Sequence, residues 1–329
     1  MLVAVKKPFT VKINQRNGEL SWRNHVISVK QFLRDDLDHV LFPEAEDMLT
    51  MVKKVGQVSY LSGKVLACLF FEPSTRTMSS FVTAIERLGG SINAINYVQF
   101  SSVSKGESLR DTIRTLGGYS DAIVMRHPEE GSAAKAAECS PVPIINAGDG
   151  KGEHPTQALL DLFTIRRELG CIDGLTVTMV GDLANGRTVH SLARLLTLYK
   201  DVKMNFVSPQ SLCMPPAKLS ELRGQGVVPE EHDSLTDRVV SESHVLYITR
   251  VQRERMTEEE KKMGNPYVVT PETMSVAKPK GKMILMHPLP RVGEISEEVD
   301  QDPRAAYFRQ SEYGMYVRMA LLNAILRGD

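Results

Sequence analysis

The segment Phe70-Phe71-Glu72-Pro73-Ser74-Thr75-Arg76-Thr77 places three hydroxyls and a guanidinium where an apolar run gives way to a helical pattern. That combination suits a phosphate. The first N–H groups of a helix have no partner within it, and the macrodipole is positive there. Hydroxyls add neutral donors, and arginine adds a planar charged fork. A simple Ser/Thr cap beside a solvated arginine is the blander reading, but a cap needs one hydroxyl, not three. The segment is not a Walker loop, because GxxxxGK[ST] is absent.

Four further segments carry polar chemistry at the ends of predicted strands. In Asn146-Ala147-Gly148-Asp149-Gly150-Lys151-Gly152-Glu153-His154-Pro155-Thr156-Gln157 a glycine-rich turn delivers His154 and Gln157 to a helix start. An imidazole N–H can polarise a carbonyl and an amide oxygen can accept from an NH2 group, although a glycine-rich loop with a histidine cap explains the same pattern. Val180-Gly181-Asp182 through Gly186-Arg187 lacks GxGxxG, which argues against a dinucleotide site. Arg187 opens a helix, where a cation opposes the dipole unless it meets an anion; the alternative is a surface ion pair. Arg250, Gln252, Arg253 and Arg255 follow a strand in quick succession, as either a ligand contact or a solvated charge run, and His287-Pro288-Leu289-Pro290 ends the last strand. There two prolines fix an irregular turn whose carbonyls can face a ligand, or serve structure alone. Arg126 closes the strand Asp121–Met125, while Ser101-Ser102-Val103-Ser104-Lys105 lies in a polar loop.

These segments sit in an alternation of short apolar runs with helical periodicity, the pattern of an α/β protein with parallel sheets. Strands are predicted at 26–29, 64–71, 91–97, 121–125 and 142–145, then at 175–180, 203–207, 245–249, 267–269 and 282–286. Helices are predicted near 30–54, 76–88, 107–118 and 131–138, then near 187–199, 215–223, 234–240, 257–263 and 271–278. Two more look like connectors. One opens at His154-Pro155 and stops at Gly170; the other is C-terminal, within 305–329. The expected division is an arm or linker over 1–24, a first domain over 25–160 on which the C-terminal helix packs back, and a second over 161–304.

Composition narrows the function classes. The 329 residues carry 40 basic and 40 acidic side chains, so no global basic excess advertises nucleic-acid binding. Val65–Phe71 is the longest apolar run, far short of the ~20 residues of a membrane span. No signal peptide is read before Lys6. The cysteines at 68, 139, 171 and 213 form neither a CxxC motif nor a disulfide framework, so a reducing, cytoplasmic setting without structural metal is expected.

Taken in order, Ser74–Thr77, Lys105-Gly106-Glu107, Arg126-His127, His154–Gln157, Gly181-Asp182 with Gly186-Arg187-Thr188-Val189-His190, Arg250-Val251-Gln252 and His287–Pro290 resemble the motifs of the transcarbamoylase family. The resemblance runs from about residue 25 to 326 and is nearest to the aspartate-specific branch of eukaryotic type. Ornithine-specific members typically carry a cysteine in the segment matching His287–Pro290, and none stands there. The resemblance implies two doubly wound parallel-sheet domains joined by two helices, no cofactor, and carbamoyl transfer from carbamoyl phosphate to L-aspartate in pyrimidine synthesis. It implies phosphate contacts from Ser74, Thr75, Arg76, Thr77 and Arg126, and carbonyl contacts from Thr77, Arg126 and His154. Gln157 and the main chain at Leu289 and Pro290 would hold the carbamoyl NH2, while Lys105, Arg187, Arg250 and Gln252 would hold aspartate. Glu72 and Arg255 match a domain-closing ion-pair set with Arg187. Ser101 and Lys105 would enter a neighbouring subunit's site, implying a homotrimer; Ser104 departs from relatives with a second lysine beside Lys105. Transfer to ornithine and a silent trimeric scaffold are the alternatives. The chain is compatible with a stand-alone enzyme or with part of a multifunctional pyrimidine-synthesis protein.

Overall fold

The computed structural model describes residues 22–95, 106–250 and 267–327. The predicted helix at 257–263 lies outside them, as do the last two positions of the strand predicted at 91–97. Two all-parallel sheets organise the chain. The first contains β1 (Val65–Phe70), β2 (Ser91–Ile95), β3 (Ala122–His127) and β4 (Ile144–Asp149), in the order β2-β1-β3-β4. The second contains β5 (Thr176–Val180), β6 (Lys203–Val207), β7 (Glu230–His232), β8 (Val245–Ile248) and β9 (Ile284–Met286), in the order β7-β6-β5-β8-β9. β1 and β8 read as continuous apolar runs, and β4 and β5 are buried along nearly all their length, because parallel strands are covered on both faces.

The strand order reverses between β1 and β3 in the first sheet and between β5 and β8 in the second. At such a switch point successive crossover helices leave on opposite faces, opening a crevice beyond the carboxyl ends of the strands. The helices in chain order are α1 (Phe42–Val55), α2 (Thr75–Arg87), α3 (Leu109–Gly117), α4 (Ser132–Cys139), α5 (Pro155–Leu169), α6 (Arg187–Leu196), α7 (Pro216–Gly224), α8 (Asp237–Glu242), α9 (Pro271–Ser275) and α10 (Tyr307–Leu326). Ser74 and Arg126 thus flank the first crevice, and Arg187 and Arg250 follow the strands of the second.

α5 and α10 fasten the two sheets together. α10 packs on α1, α2 and α5, and Phe163 of α5 meets Phe42 and Tyr313 with ring centroids 5.6 and 5.9 Å apart. One apolar cluster runs from Leu66, Val124 and Ile145 of the first sheet through these helices to Val177, Phe206 and Tyr247 of the second.

Several element boundaries differ from expectation. The strand predicted at 26–29 is a single bridge, Val26 to Ile145. The chain then turns into a 3-10 helix, Val29–Gln31, because Ser28 and Gln31 form a reciprocal capping box. The strand at 267–269 shrinks to a bridge between Val269 and Ile295. β4 runs on to Asp149, past the predicted 145, since Asn146 pairs with Val26 and its side chain accepts from Gly148 N–H. β7 was not anticipated: Glu230-Glu231-His232 has no apolar signal.

Candidate active site

A cavity of about 460 Å³ opens where the two crevices meet. Its wall includes Ser74 from the β1–α2 turn, Thr75, Arg76 and Thr77 from the first turn of α2, Arg126 from β3, His154 just before α5, Gln157 from α5, and Arg187 from α6. Pro288, Leu289 and Pro290 supply the side beyond β9, and Arg318 reaches in from α10. Four guanidinium groups therefore line one cavity, and no Asp or Glu side chain does so among the described residues.

Three helices aim their N-termini at this space. Ser74 precedes α2, His154 precedes α5 and Gly186 precedes α6, and none of the three makes a side-chain cap. Ser108, Thr236 and Thr270, at helix starts that do not line the cavity, do accept from backbone N–H groups. The Ser74 hydroxyl is thus not consumed in capping, which removes the blander reading of that segment.

Local structure explains how the charged groups are held. The β3–β4 register shifts between Met125 and His127, an irregularity that re-aims Arg126. Its Nε lies 3.4 Å from a Glu72 carboxylate oxygen without hydrogen-bond geometry, and Nη1 reaches Ala147 O at 3.5 Å. Arg187 donates to Gly150 O at 2.7 Å. Gly148 (φ +116°) makes room for it, since a Cβ there would stand 2.8 Å from the Arg187 guanidinium carbon. Asp149 pins the following loop, accepting from Gly131 N–H and Glu153 N–H at 2.9 and 2.8 Å, and so sets where His154 emerges. Across the cavity His287 Nδ1 accepts Leu289 N–H at 2.8 Å in a turn where Leu289 has φ +54° and its bond to Pro290 is cis.

The electrostatics follow from burial and like charge. Burial pulls Arg126 down to about 10, assisted by the Arg187 charge and opposed by Glu72. Burial likewise brings Arg318 to about 10, with Asp161 opposing. Arg318 donates to Ser80 Oγ at 2.9 Å and lies 5.0 Å from the Phe81 ring centroid. His154 is held neutral, well below the ordinary imidazole value, first by burial and then by the charges of Arg187, Arg126 and Arg318. Its Nδ1 is buried without a protein partner, and the residue lines the cavity as a neutral ring that adds no net charge.

Behind the wall sits the buried carboxyl of Asp161. Its Oδ1 accepts from Gln157 Nε2 at 2.8 Å and Gln310 Nε2 at 2.7 Å, and its Oδ2 from Tyr247 OH at 2.7 Å. Burial raises its pKa to about 7 against those three hydrogen bonds and the Arg318 charge.

The structure brings most of the sequence-predicted residues together: Ser74, Thr75, Arg76, Thr77, Arg126, His154, Gln157, Arg187, Leu289 and Pro290 share the cavity. Arg250 does not line it; it is exposed just beyond β8. Glu72 stands against Arg126, while Arg187 is tied to the Gly150 carbonyl. Ser101, Lys105, Gln252 and Arg255 lie outside the described residues. His190 is occupied by Leu183 O at 2.7 Å from Nε2 and is absent from the cavity wall. Arg318, Ser80, Asp161 and Gln310 were missed. The available signal was a lone polar group in an apolar run: Asp161 within Leu159–Phe163, and Arg318 within Val317–Leu322. No group of three His, Cys, Asp or Glu side chains suited to a metal occurs among the described residues.

A family model for the carbamoyl-P binding domain of aspartate/ornithine carbamoyltransferase matches residues 24–167, and one for the Asp/Orn binding domain matches residues 173–325. The chain belongs to the aspartate/ornithine carbamoyltransferase family. Multifunctional protein pyr1-3 of Dictyostelium discoideum is 55% identical over 300 residues, covering 91% of this chain but 13% of that protein. The chain therefore spans only a small part of that multifunctional relative. Aspartate carbamoyltransferase, chloroplastic, of Arabidopsis thaliana is 51% identical over 308 residues, 92% of this chain and 78% of that protein. A crystal structure of aspartate transcarbamoylase from Trypanosoma cruzi in complex with carbamoyl phosphate and aspartate superposes with a TM-score of 0.86 at 45% identity, covering 92% of this chain and 95% of that one.

For this carbamoyltransferase-family chain the raised pKa of Asp161 sets a sign. Between its ordinary 3.8 and about 7 the folded state holds a proton that the unfolded state has released. Its contribution to stability is greatest at low pH and is lost as pH rises through that window. Asp161→Asn removes the titration. Urea denaturation at about pH 5 and about pH 7.5 should show the wild type losing stability relative to Asp161→Asn as pH rises, whereas parallel pH profiles would contradict the assignment.

Proposed function

We propose that the chain is an aspartate carbamoyltransferase, converting carbamoyl phosphate and L-aspartate to N-carbamoyl-L-aspartate and phosphate in de novo pyrimidine biosynthesis. The observation that carries this reading is a cavity lined, among the described residues, by four arginines and no carboxylate, facing three helix N-termini. Such a site is built for two anions. A dicarboxylate acceptor suits it, whereas the cationic side chain of ornithine would be repelled.

In this reading Ser74, Thr75, Arg76, Thr77 and Arg126 hold the phosphate. Thr77, Arg126 and His154 face the carbonyl oxygen, where negative charge grows as the amine attacks. The new C–N bond forms as the C–O bond to phosphate breaks, and phosphate departs with the electron pair. The amine's proton passes to the departing phosphate, since no carboxylate lines the cavity among the described residues. Gln157 Oε1 and the carbonyls near Leu289 and Pro290 take the carbamoyl NH2. Arg187, with Arg250, Gln252 and Lys105, takes the aspartate carboxylates, and Glu72 and Arg255 serve closure. Rate comes mainly from holding two mutually repelling anions aligned and out of water.

The two units would be 25–160 for carbamoyl phosphate and 161–304 for aspartate, after an arm or linker over 1–24. We further propose a homotrimer in which Ser101 and Lys105 complete a neighbour's site, placed in the cytoplasm and within a multifunctional pyrimidine-synthesis protein or alone. No helix among the described residues is long and apolar enough to cross a membrane.

Purified protein should form carbamoyl aspartate from aspartate and no citrulline from ornithine. Arg76→Ala should lower turnover by roughly 10³-fold, because it removes a charged donor that the phosphate needs as it departs. Turnover of ornithine alone would refute the aspartate assignment. Shared sites have their own test: mixing Arg76→Ala chains with Lys105→Ala chains should restore part of the activity, because some trimer sites then draw both intact residues. Mixtures that reassort and stay inactive would exclude shared sites and count against the trimer reading built on them.

A further inference from the structure

We infer that Asp161 is a positioning residue that decides which end of the Gln157 amide faces the donor substrate, and thereby sets the preference for a carbamoyl over an acyl phosphate. The inference rests on the carbamoyl phosphate reading and deepens it.

An amide side chain has a donor end and an acceptor end of nearly the same shape, so a glutamine in a cavity wall recognises an NH2 group only if something fixes its orientation. Asp161 Oδ1 accepts from Gln157 Nε2, leaving Gln157 Oε1 as the end available to the cavity that the residue lines. The direction of this bond is settled by a second glutamine. Gln310 accepts His287 N–H at 2.9 Å on its oxygen, so its NH2 must face Asp161, where it donates to the same Oδ1. That oxygen is thus committed as an acceptor. When the carboxyl is protonated, the proton belongs on Oδ2, which Tyr247 OH faces at 2.7 Å and whose hydroxyl can accept in turn. Both protonation states leave the Gln157 amide pointing the same way. The carboxyl spans α5, α10 and β8, and through Gln310 it also steadies the backbone of the His287 turn that forms another wall.

Acetyl phosphate is the discriminating probe, because it replaces the carbamoyl NH2 by a methyl of similar size. A site that accepts from an NH2 rejects the analogue lacking it, since a buried acceptor is left unpaired. Isothermal titration of the full chain with carbamoyl phosphate and with acetyl phosphate gives the affinity ratio. Wild type should favour carbamoyl phosphate, and Asp161→Ala should lower the ratio about tenfold by freeing the Gln157 amide. Asp161→Asn should keep the preference, because one amide oxygen can accept from both glutamines while its NH2 donates to Tyr247. In a Gln157→Ala background, Asp161→Ala should change the ratio no further. A merely structural role would weaken both ligands alike and leave the ratio unmoved. Asp161→Leu, an apolar filling of the same site, carries the test if the alanine variant does not fold. A folded Asp161→Ala or Asp161→Leu chain that keeps the wild-type ratio, or an Asp161→Asn chain that loses it, overturns the inference while leaving the carbamoyl phosphate reading intact. Wild type binding neither ligand overturns both.

Discussion

The constraint on which the rest depends is a cluster of cations around one cavity, from exposed Arg76 through half-buried Arg126 and Arg187 to buried Arg318, with little carboxylate to offset it. Arg76, Arg126, Arg187 and Arg318 line one cavity, and Glu72, against Arg126, is the one carboxylate in ion-pair range of them among the described pairs. Guanidinium groups do not lose their protons at neutral pH, so they repel one another instead. Burial lowers the affinity of Arg126 and Arg318 for their protons, and at Arg126 the charges of Arg187 and Arg76 lower it further. Three helix N-termini add positive potential to the same space. A fold that arranges this has an electrostatic need that only anions satisfy, and it places the need where two anions can react.

Topology makes the arrangement possible. Each parallel sheet has one reversal of strand order, and each reversal leaves a crevice at the carboxyl ends of its central strands. α5 and α10 pack across both sheets and bring the crevices face to face, while Asp161 and Tyr247 tie the first connector to the second sheet. The polar atoms at the meeting point are then aimed by small devices: an irregular β3–β4 register at Arg126, a glycine beside Arg187, and an aspartate that pins the loop before His154.

Much of this was legible in the sequence, for physical reasons that also explain the failures. Ser74–Thr77, His154, Gln157 and Arg187 announce themselves because they stand at or just before helix starts, and Arg126 because it ends an apolar strand, places where polar groups have few structural duties. Arg318, Asp161 and Gln310 were hidden because helical periodicity assigns their positions to the core, and only their neighbours in space reveal partners for them. β7 was invisible because an edge strand of Glu230-Glu231-His232 has no buried face to advertise. The segment at 26–29 misled through its β-branched residues, whereas Ser28 bonds to Glu153 and caps a turn. Arg250 was read as part of the same cluster, yet it stands exposed outside the cavity, because being beyond the end of a strand fixes a residue's edge and not its direction.

The central claim is that the cavity is electrostatically incomplete until it holds an anion, and Arg126→Met tests it most directly through thermal unfolding with and without inorganic phosphate. Wild type should gain several degrees from phosphate. Arg126→Met should unfold at an equal or higher temperature than wild type without phosphate, because it removes a half-buried charge that neighbouring cations repel, and should gain little when phosphate is added. A variant that is less stable than wild type in the absence of anion, yet keeps the full phosphate response, would show that Arg126 serves the fold and that the cation cluster is not the organising constraint.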